Sequence, residues 1–177
     1  ILAVLYPYVQ KGILLPRTHE DILKNSDTFT VAIVNEKIIG VVSHYKYNNK
    51  LFEIRSLAVQ SKYHHKGIGK QLVEYAIKDI LSKHKDAKIF CLTYSPSFFK
   101  KVGFMVVDKE NLPDKIWKDC QYCKHKDNCT ETAMVYSLRS RDSKAVYNFL
   151  YVIFIYFKPF FSSKYSYTIA PIFFCKQ

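Results

Sequence analysis

An α/β (α+β) fold, with a mixed, mostly antiparallel central sheet flanked by helices, is predicted by three observations. Two apolar runs, Thr28 to Val34 and Ile38 to Tyr45, flank the turn-forming Asn35-Glu36-Lys37 and read as a β-hairpin. A third run, Leu51 to Val59, alternates in part and follows Asn48-Asn49. Ile68, Leu72, Val73, Ala76, Ile77, Ile80 and Leu81 then repeat at the 3.6-residue period of a helix face, ahead of a short buried-looking strand, Ala87 to Thr93. A hairpin followed by strand, helix, strand is a layered mixed architecture.

The remaining elements fall in order around these. Leu2, Leu5, Tyr6 and Val9 recur at helical spacing and Gly12 follows as a stop. Leu14-Leu15-Pro16-Arg17-Thr18 is a turn, and Thr18 with Asp21 three residues on caps a second short helix. Gly67 opens the long helix. After Thr93, Ser95 or Ser97 caps a brief helix through Lys101, which Gly103 ends. Phe104 to Val107 and Ala133 to Leu138 are two closing strands.

At 177 residues the chain suits one domain with a proper core. With 49% hydrophobic and 24% charged residues, disorder is excluded as the dominant state. The net charge of +12 suits nucleic acid, a membrane surface or a polyanionic small molecule. The lysines are spread (Lys46, Lys62, Lys83, Lys100, Lys118, Lys144) and no basic stripe interleaves with aromatics on one element, so no nucleic-acid partner is expected. Five cysteines, an odd number, and no signal-peptide pattern point to a reducing, cytoplasmic setting. The chain starts at Ile1 and reads as lacking its natural N-terminus.

The stretch that carries chemistry is Leu57-Ala58-Val59-Gln60-Ser61-Lys62-Tyr63-His64-His65-Lys66-Gly67-Ile68-Gly69-Lys70. A strand ends, a loop turns, and two glycines stand where a helix begins. First-turn N–H groups have no intrahelical partner, and with the helix dipole they form a ready site for phosphate oxygens. Lys66 and Lys70 add charge at the rim. A plain strand-to-helix turn with Gly67 as its joint is the competing reading.

The same stretch resembles the acetyl-CoA-binding motif of the GNAT acetyltransferases, (Gln/Arg)-x-x-Gly-x-(Gly/Ala), with His64 at the Gln/Arg position and its amide still available as a donor. Phe98-Phe99-Lys100-Lys101-Val102-Gly103-Phe104 resembles the family's Phe-Tyr-x-x-x-Gly-Phe segment, with Phe99 where many members carry an acid tyrosine. Leu14-Leu15-Pro16-Arg17, Glu53-Ile54-Arg55-Ser56-Leu57-Ala58-Val59, Leu112 to Cys120 and Cys129 to Met134 follow in order. Together they resemble the short bacterial amino-acid N-acetyltransferases, the N-acetylglutamate synthases of arginine biosynthesis. The likeness spans about residues 1–138.

That resemblance implies a GNAT fold and acetyl transfer from acetyl-CoA to a small-molecule amine, L-glutamate first. It implies cofactor contacts at Leu57, Ala58, Val59, His64, His65, Lys66, Gly67, Ile68, Gly69, Lys70 and Phe98. Val59 N–H would polarise the thioester carbonyl. Glu53 is the candidate base, directly or through water, against a mere salt bridge. Tyr94 or a water would protonate the departing thiolate. Arg17 and Arg55 are the candidate carboxylate clamps, against solvent-exposed ion pairs. The alternatives are a GNAT enzyme acting on another amino acid, a polyamine or a protein N-terminus, and a non-catalytic acetyl-CoA-binding module.

Two segments stand apart. Cys120-x-x-Cys123 with Cys129, and His125 between, has zinc-like spacing at one end, against plain reduced thiols in a loop. Twelve of the 28 aromatic residues fall in positions 138–177, which marks residues 139–177 as a separate tail. Its longest apolar run, Phe149 to Phe157, is far shorter than the ~20 residues of a membrane span. Interfacial membrane contact, partner docking and sequence outside the fold are all open readings of the tail, as is a homodimer for the whole chain.

Overall fold

Apolar spacing in the first residues builds α1 (Leu2–Gln10), whose Val4 and Leu5 are buried. Thr18 caps α2 (His19–Lys24) as its spacing to Asp21 predicts: its side chain accepts from the Asp21 N–H at 3.0 Å. The computed structural model describes residues 1–112, 129–137 and 168–171. Strands β1 (Phe29–Val34) and β2 (Lys37–Asn48) meet at Asn35 and Glu36, whose φ of 46° and 61° give the two left-handed residues of a tight hairpin turn. β3 (Leu51–Val59) has the bounds its sequence predicts.

Helix α3 (Ile68–Lys83) buries Ile68, Leu72, Val73, Ala76, Ile77 and Ile80, with Leu81 partly buried beside them. β4 (Lys88–Thr93) follows, then α4 (Pro96–Val102), β5 (Phe104–Val106), β6 (Thr132–Tyr136) and β7 (Thr168–Pro171). Ser95 stands at the N-cap of α4 without a side-chain capping bond, and Gly103, at φ 102°, ends the helix. Among the described residues the sheet order is β5-β6-β4-β3-β2-β1-β7. Only the β3–β4 pairing is parallel; the others are antiparallel. The mixed, mostly antiparallel sheet with flanking helices is the predicted class.

The sheet separates two main cores, and a smaller third cluster gathers Phe90, Leu112 and Ala133. α3 and α4 cover one face with Phe52, Ile54, Ile89, Cys91, Phe99 and Phe104. α1 and α2 cover the other with Phe29, Val31, Val41 and Ala58. β7 lies within the stretch expected as a tail, pairing Val31 with Ala170 at the β1 edge. None of the helices among the described residues is long and apolar enough to cross a membrane.

Candidate active site

Two departures from a regular ladder create the site. The first is a bulge in β3. Ser43 pairs with Arg55 and Val41 with Ala58, so two residues on β3, Ser56 and Leu57, stand opposite Val42 alone on β2. Ser56 sits in the left-handed region at φ 55° and absorbs the extra residue. The slip moves Ala58 to the α1 face, whereas strict alternation from Phe52 and Ile54 would have put it under α3.

The second departure is a wedge. β3 pairs with β4 only at Leu51–Lys88, Phe52–Ile89 and Glu53–Phe90. Beyond Glu53 the two strands part, leaving the β4-facing edge of β3 open up to Val59. Gln60 N–H donates to Ile39 O across on β2 at 2.8 Å. Alternation therefore turns the Val59 N–H and C=O the other way, toward the wedge.

At the wide end lies the turn into α3, the candidate phosphate turn. His65 at φ 60° and Gly67 at φ 79° are both left-handed, and such alternation folds backbone N–H groups into a concavity that suits anions. Gly67 is the N-cap of the 16-residue α3 and has no side chain to satisfy the N–H groups of Ile68, Gly69 and Lys70. Phe98 of α4 lies over Gly69, 3.5 Å from where a Cβ would stand. Lys62 and Lys66 flank the Tyr63 ring at 5.0 and 5.2 Å.

His64 does not supply the free amide expected of it. Its N–H donates to Ser61 O at 3.0 Å, closing the short 3-10 turn Ser61–Tyr63. Its ring turns back to Val59 O, 2.7 Å from Nε2, and to the Tyr8 hydroxyl at 2.8 Å. Tyr8, which sequence reasoning missed, donates to the same carbonyl at 2.5 Å. A tyrosine on the apolar face of a helix 56 residues from its partner gives no local signal.

The α1 face of the sheet carries the candidate substrate groups. Arg17, just before α2, and Arg55, on β3, line one shallow, open hollow with Asp21, Asn25, Thr28 and Tyr45. Arg17 Nη1 lies 3.3 Å from Asp21 Oδ2. The Arg55 guanidinium lies 4.2 Å over the Tyr45 ring and 4.0 Å from Glu53 Oε2. Glu53 also accepts from the Tyr47 hydroxyl at 3.0 Å. Its side chain is 12% exposed, and it stands at the narrow end of the wedge, opposite Phe90.

Tyr94 follows β4 at the wide end and is exposed. Phe99 packs edge-on against Phe98 and Phe104 in the α3-side core, so its ring serves packing. Cys91 is buried between the layers; burial first, then the Glu53 and Glu131 carboxylates, push its thiol well above its ordinary range. It is a core thiol.

Cys120, Cys123 and His125 lie outside the described residues. Cys129 is described, its Sγ 3.9 Å from Glu131 Oε2. Among the described residues no three metal-ligating side chains gather, and the zinc expectation gains no support.

A sequence profile of the acetyltransferase (GNAT) family matches residues 3–104, from α1 through the wedge and phosphate turn to the start of β5. The chain belongs to the GNAT acetyltransferase family. It is 41% identical over 131 residues to an uncharacterized N-acetyltransferase of Chlorobaculum tepidum, spanning 74% of this chain and 84% of that relative. It is 30% identical over 137 residues to the amino-acid acetyltransferase of Buchnera aphidicola subsp. Schizaphis graminum, spanning 76% of this chain and 30% of that one. Among solved structures, the N-acetylglutamate synthase from Neisseria gonorrhoeae, complexed with coenzyme A and N-acetyl-glutamate, shares the fold. Its TM-score is 0.68 at 22% identity, over 77% of this chain and 32% of that one. This GNAT chain thus spans about a third of the length of the amino-acid acetyltransferase and the synthase it matches.

Proposed function

We propose that this GNAT acetyltransferase moves the acetyl group of acetyl-CoA to the α-amine of L-glutamate. The observation that carries the substrate is the hollow that Arg17 and Arg55 share, since a substrate with two carboxylates needs two guanidinium partners. The proteins it resembles support the same reading. One is named an amino-acid acetyltransferase, and another was solved with coenzyme A and N-acetyl-glutamate.

The residues fit the cofactor. Left-handed His65 and Gly67, with the open N–H groups of Ile68, Gly69 and Lys70, suit a pyrophosphate. From there the open β3 edge leads inward past Val59, Ala58 and Leu57. An extended pantetheine arm would lie along it as an added strand, with Phe98 beside the turn. Val59 N–H, turned toward the wedge, is placed to donate to that arm.

Glu53 at the narrow end takes the ammonium proton, directly or through a water, and the freed amine attacks the thioester carbon. The C–S bond breaks as the C–N bond forms, the nitrogen gives up its second proton to water, and the thiolate takes a proton from Tyr94 or water. Tyr47 and Arg55 hold the Glu53 carboxylate in place.

A second reading, an amino acid with one carboxylate, draws on Asp21. It lines the same hollow and already pairs with Arg17, which leaves Arg55 as the main clamp. Release of free coenzyme A thiol from acetyl-CoA, across the twenty amino acids and spermidine, decides between them. Release with glutamate alone, lost in Arg17→Ala and in Arg55→Ala, supports the synthase reading. Release with a monocarboxylate favours the second. Binding of acetyl-CoA without release with any amine overturns both and leaves a binding module.

A further inference from the structure

We propose that Tyr8 is a positioning residue for the cofactor: with His64 it clamps the Val59 carbonyl and locks α1, the phosphate turn and the open edge of β3 into one unit. The inference rests on acetyl-CoA occupying the wedge.

Hydrogen accounting fixes the arrangement. A backbone carbonyl can only accept, so a ring nitrogen 2.7 Å from Val59 O must carry a hydrogen. His64 is therefore protonated at Nε2. The Tyr8 hydroxyl has one hydrogen, and its 2.5 Å contact with Val59 O places that hydrogen there. The 2.8 Å contact between Tyr8 and His64 is then the Nε2–H shared between the hydroxyl oxygen and the carbonyl. The opposite assignment, with Tyr8 donating to a bare Nε2, would press a nitrogen lone pair against the Val59 carbonyl.

The closed triangle has two effects at the site. Both acceptor positions of the outward Val59 carbonyl are filled, so at this residue the cofactor meets a donor, the N–H on the same side of the strand. The imidazole also fixes the loop immediately before left-handed His65 and Gly67. At its start the loop is tied to β2 by Gln60, through N–H to Ile39 O and side-chain nitrogen to Ile38 O. His64 and Tyr8 supply a second tie, to β3 and α1. The anion cradle thus takes its orientation from a helix on the opposite face of the sheet from α3.

The test is calorimetric titration of coenzyme A into the unaltered chain, Tyr8→Phe, His64→Ala, the double variant and His64→Gln. Tyr8→Phe and His64→Ala each weaken binding about tenfold, and the double variant is no weaker than either, because each single change already opens the triangle. His64→Gln, whose amide nitrogen still donates to Val59 O, keeps affinity within about threefold. Nitrogen-15 NMR shows His64 as the Nε2–H tautomer in the unaltered chain, and an Nδ1–H tautomer there overturns the proposal. Full affinity in Tyr8→Phe overturns the proposal, as do losses that multiply to about a hundredfold in the double variant. Failure of the unaltered chain to bind coenzyme A overturns the cofactor reading and this inference together.

Discussion

The Arg55 guanidinium stands over the Tyr45 ring, 4.2 Å from its centroid, while its Nη1 lies 4.0 Å from Glu53 Oε2. The stack holds the planar fork at one orientation beside the hollow shared with Arg17. Arg55→Lys keeps the charge but loses both stack and fork. It is expected to lower kcat/KM for the amino acid about a hundredfold, nearly as far as Arg55→Ala. Tyr45→Leu raises KM for the amino acid and leaves coenzyme A binding intact. Steady-state kinetics with the amino acid varied, beside coenzyme A titrations, check both; a Lys variant near full activity would mean that charge alone suffices.

Ser56 holds the bulge at φ 55°, a backbone region that a β-branched side chain resists. Ser56→Val is expected to lower stability by about 2 kcal/mol, and Ser56→Gly to leave it unchanged or slightly raised. Urea unfolding of the two variants measures the difference. Equal stability would mean that the bulge is not held by local conformation.

Gly40 on β2 touches α3. A Cβ there would stand 3.0 Å from Leu72 Cδ1 and 3.4 Å from Ile68 Cγ2, and both side chains are fully buried. Gly40→Ala forces the first turn of α3 outward at a cost of about 1–3 kcal/mol. On the proposed cofactor reading that turn cradles the pyrophosphate, so coenzyme A affinity is expected to fall along with the midpoint of thermal unfolding. A stable variant with weakened binding, or the reverse, would separate the two effects.

His44 points to the face opposite the hollow's arginines, its ring 6.2 Å from Phe52. Burial holds its pKa below the ordinary 6.5; Lys83 and Arg55 push the same way, and Asp79 and Asp27 oppose them. The folded chain thus resists a proton that the unfolded chain accepts. Stability present above about pH 6.5 is lost as the pH falls, until the folded pKa is passed. His44→Gln flattens that slope between pH 6.5 and the lower value. Urea midpoints across this range give the result, and an unchanged slope would assign the loss to other groups.

Much of the frame is legible in residue order because it rests on local physics. Thr18 with Asp21, the Asn35-Glu36 turn, the α3 stripe and Gly103 each settle their own neighbourhood. β2 runs three residues past Tyr45 because its exposed end, through Asn48, pairs with β3 despite polar side chains. The bulge is silent in sequence, since serine has no strong preference for left-handed backbone. β7 depends on an edge that exists only once the sheet is assembled. At the site, the glycine turn that opens α3 is legible in its motif, and Arg17 and Arg55, singled out by the scarcity of arginine, line one hollow. The Tyr8–His64–Val59 triangle is not legible, because a contact across 56 residues is made by the fold.

A wedge also measures what enters it. The gap between β3 and β4 narrows to the hydrogen-bonded spacing at Glu53 and Phe90, about 4.8 Å between strands. On the proposed reading, the transferred group lies toward that vertex. A two-carbon acyl group stops short of it, while each further methylene must press against paired backbone. Each backbone group stranded by parting the ladder costs about 1–3 kcal/mol, against about 0.8 kcal/mol returned by one buried methylene. Chain-length discrimination among acyl donors is then a property of backbone pairing, and no single side-chain substitution lining the gap would be enough to convert the enzyme to longer thioesters.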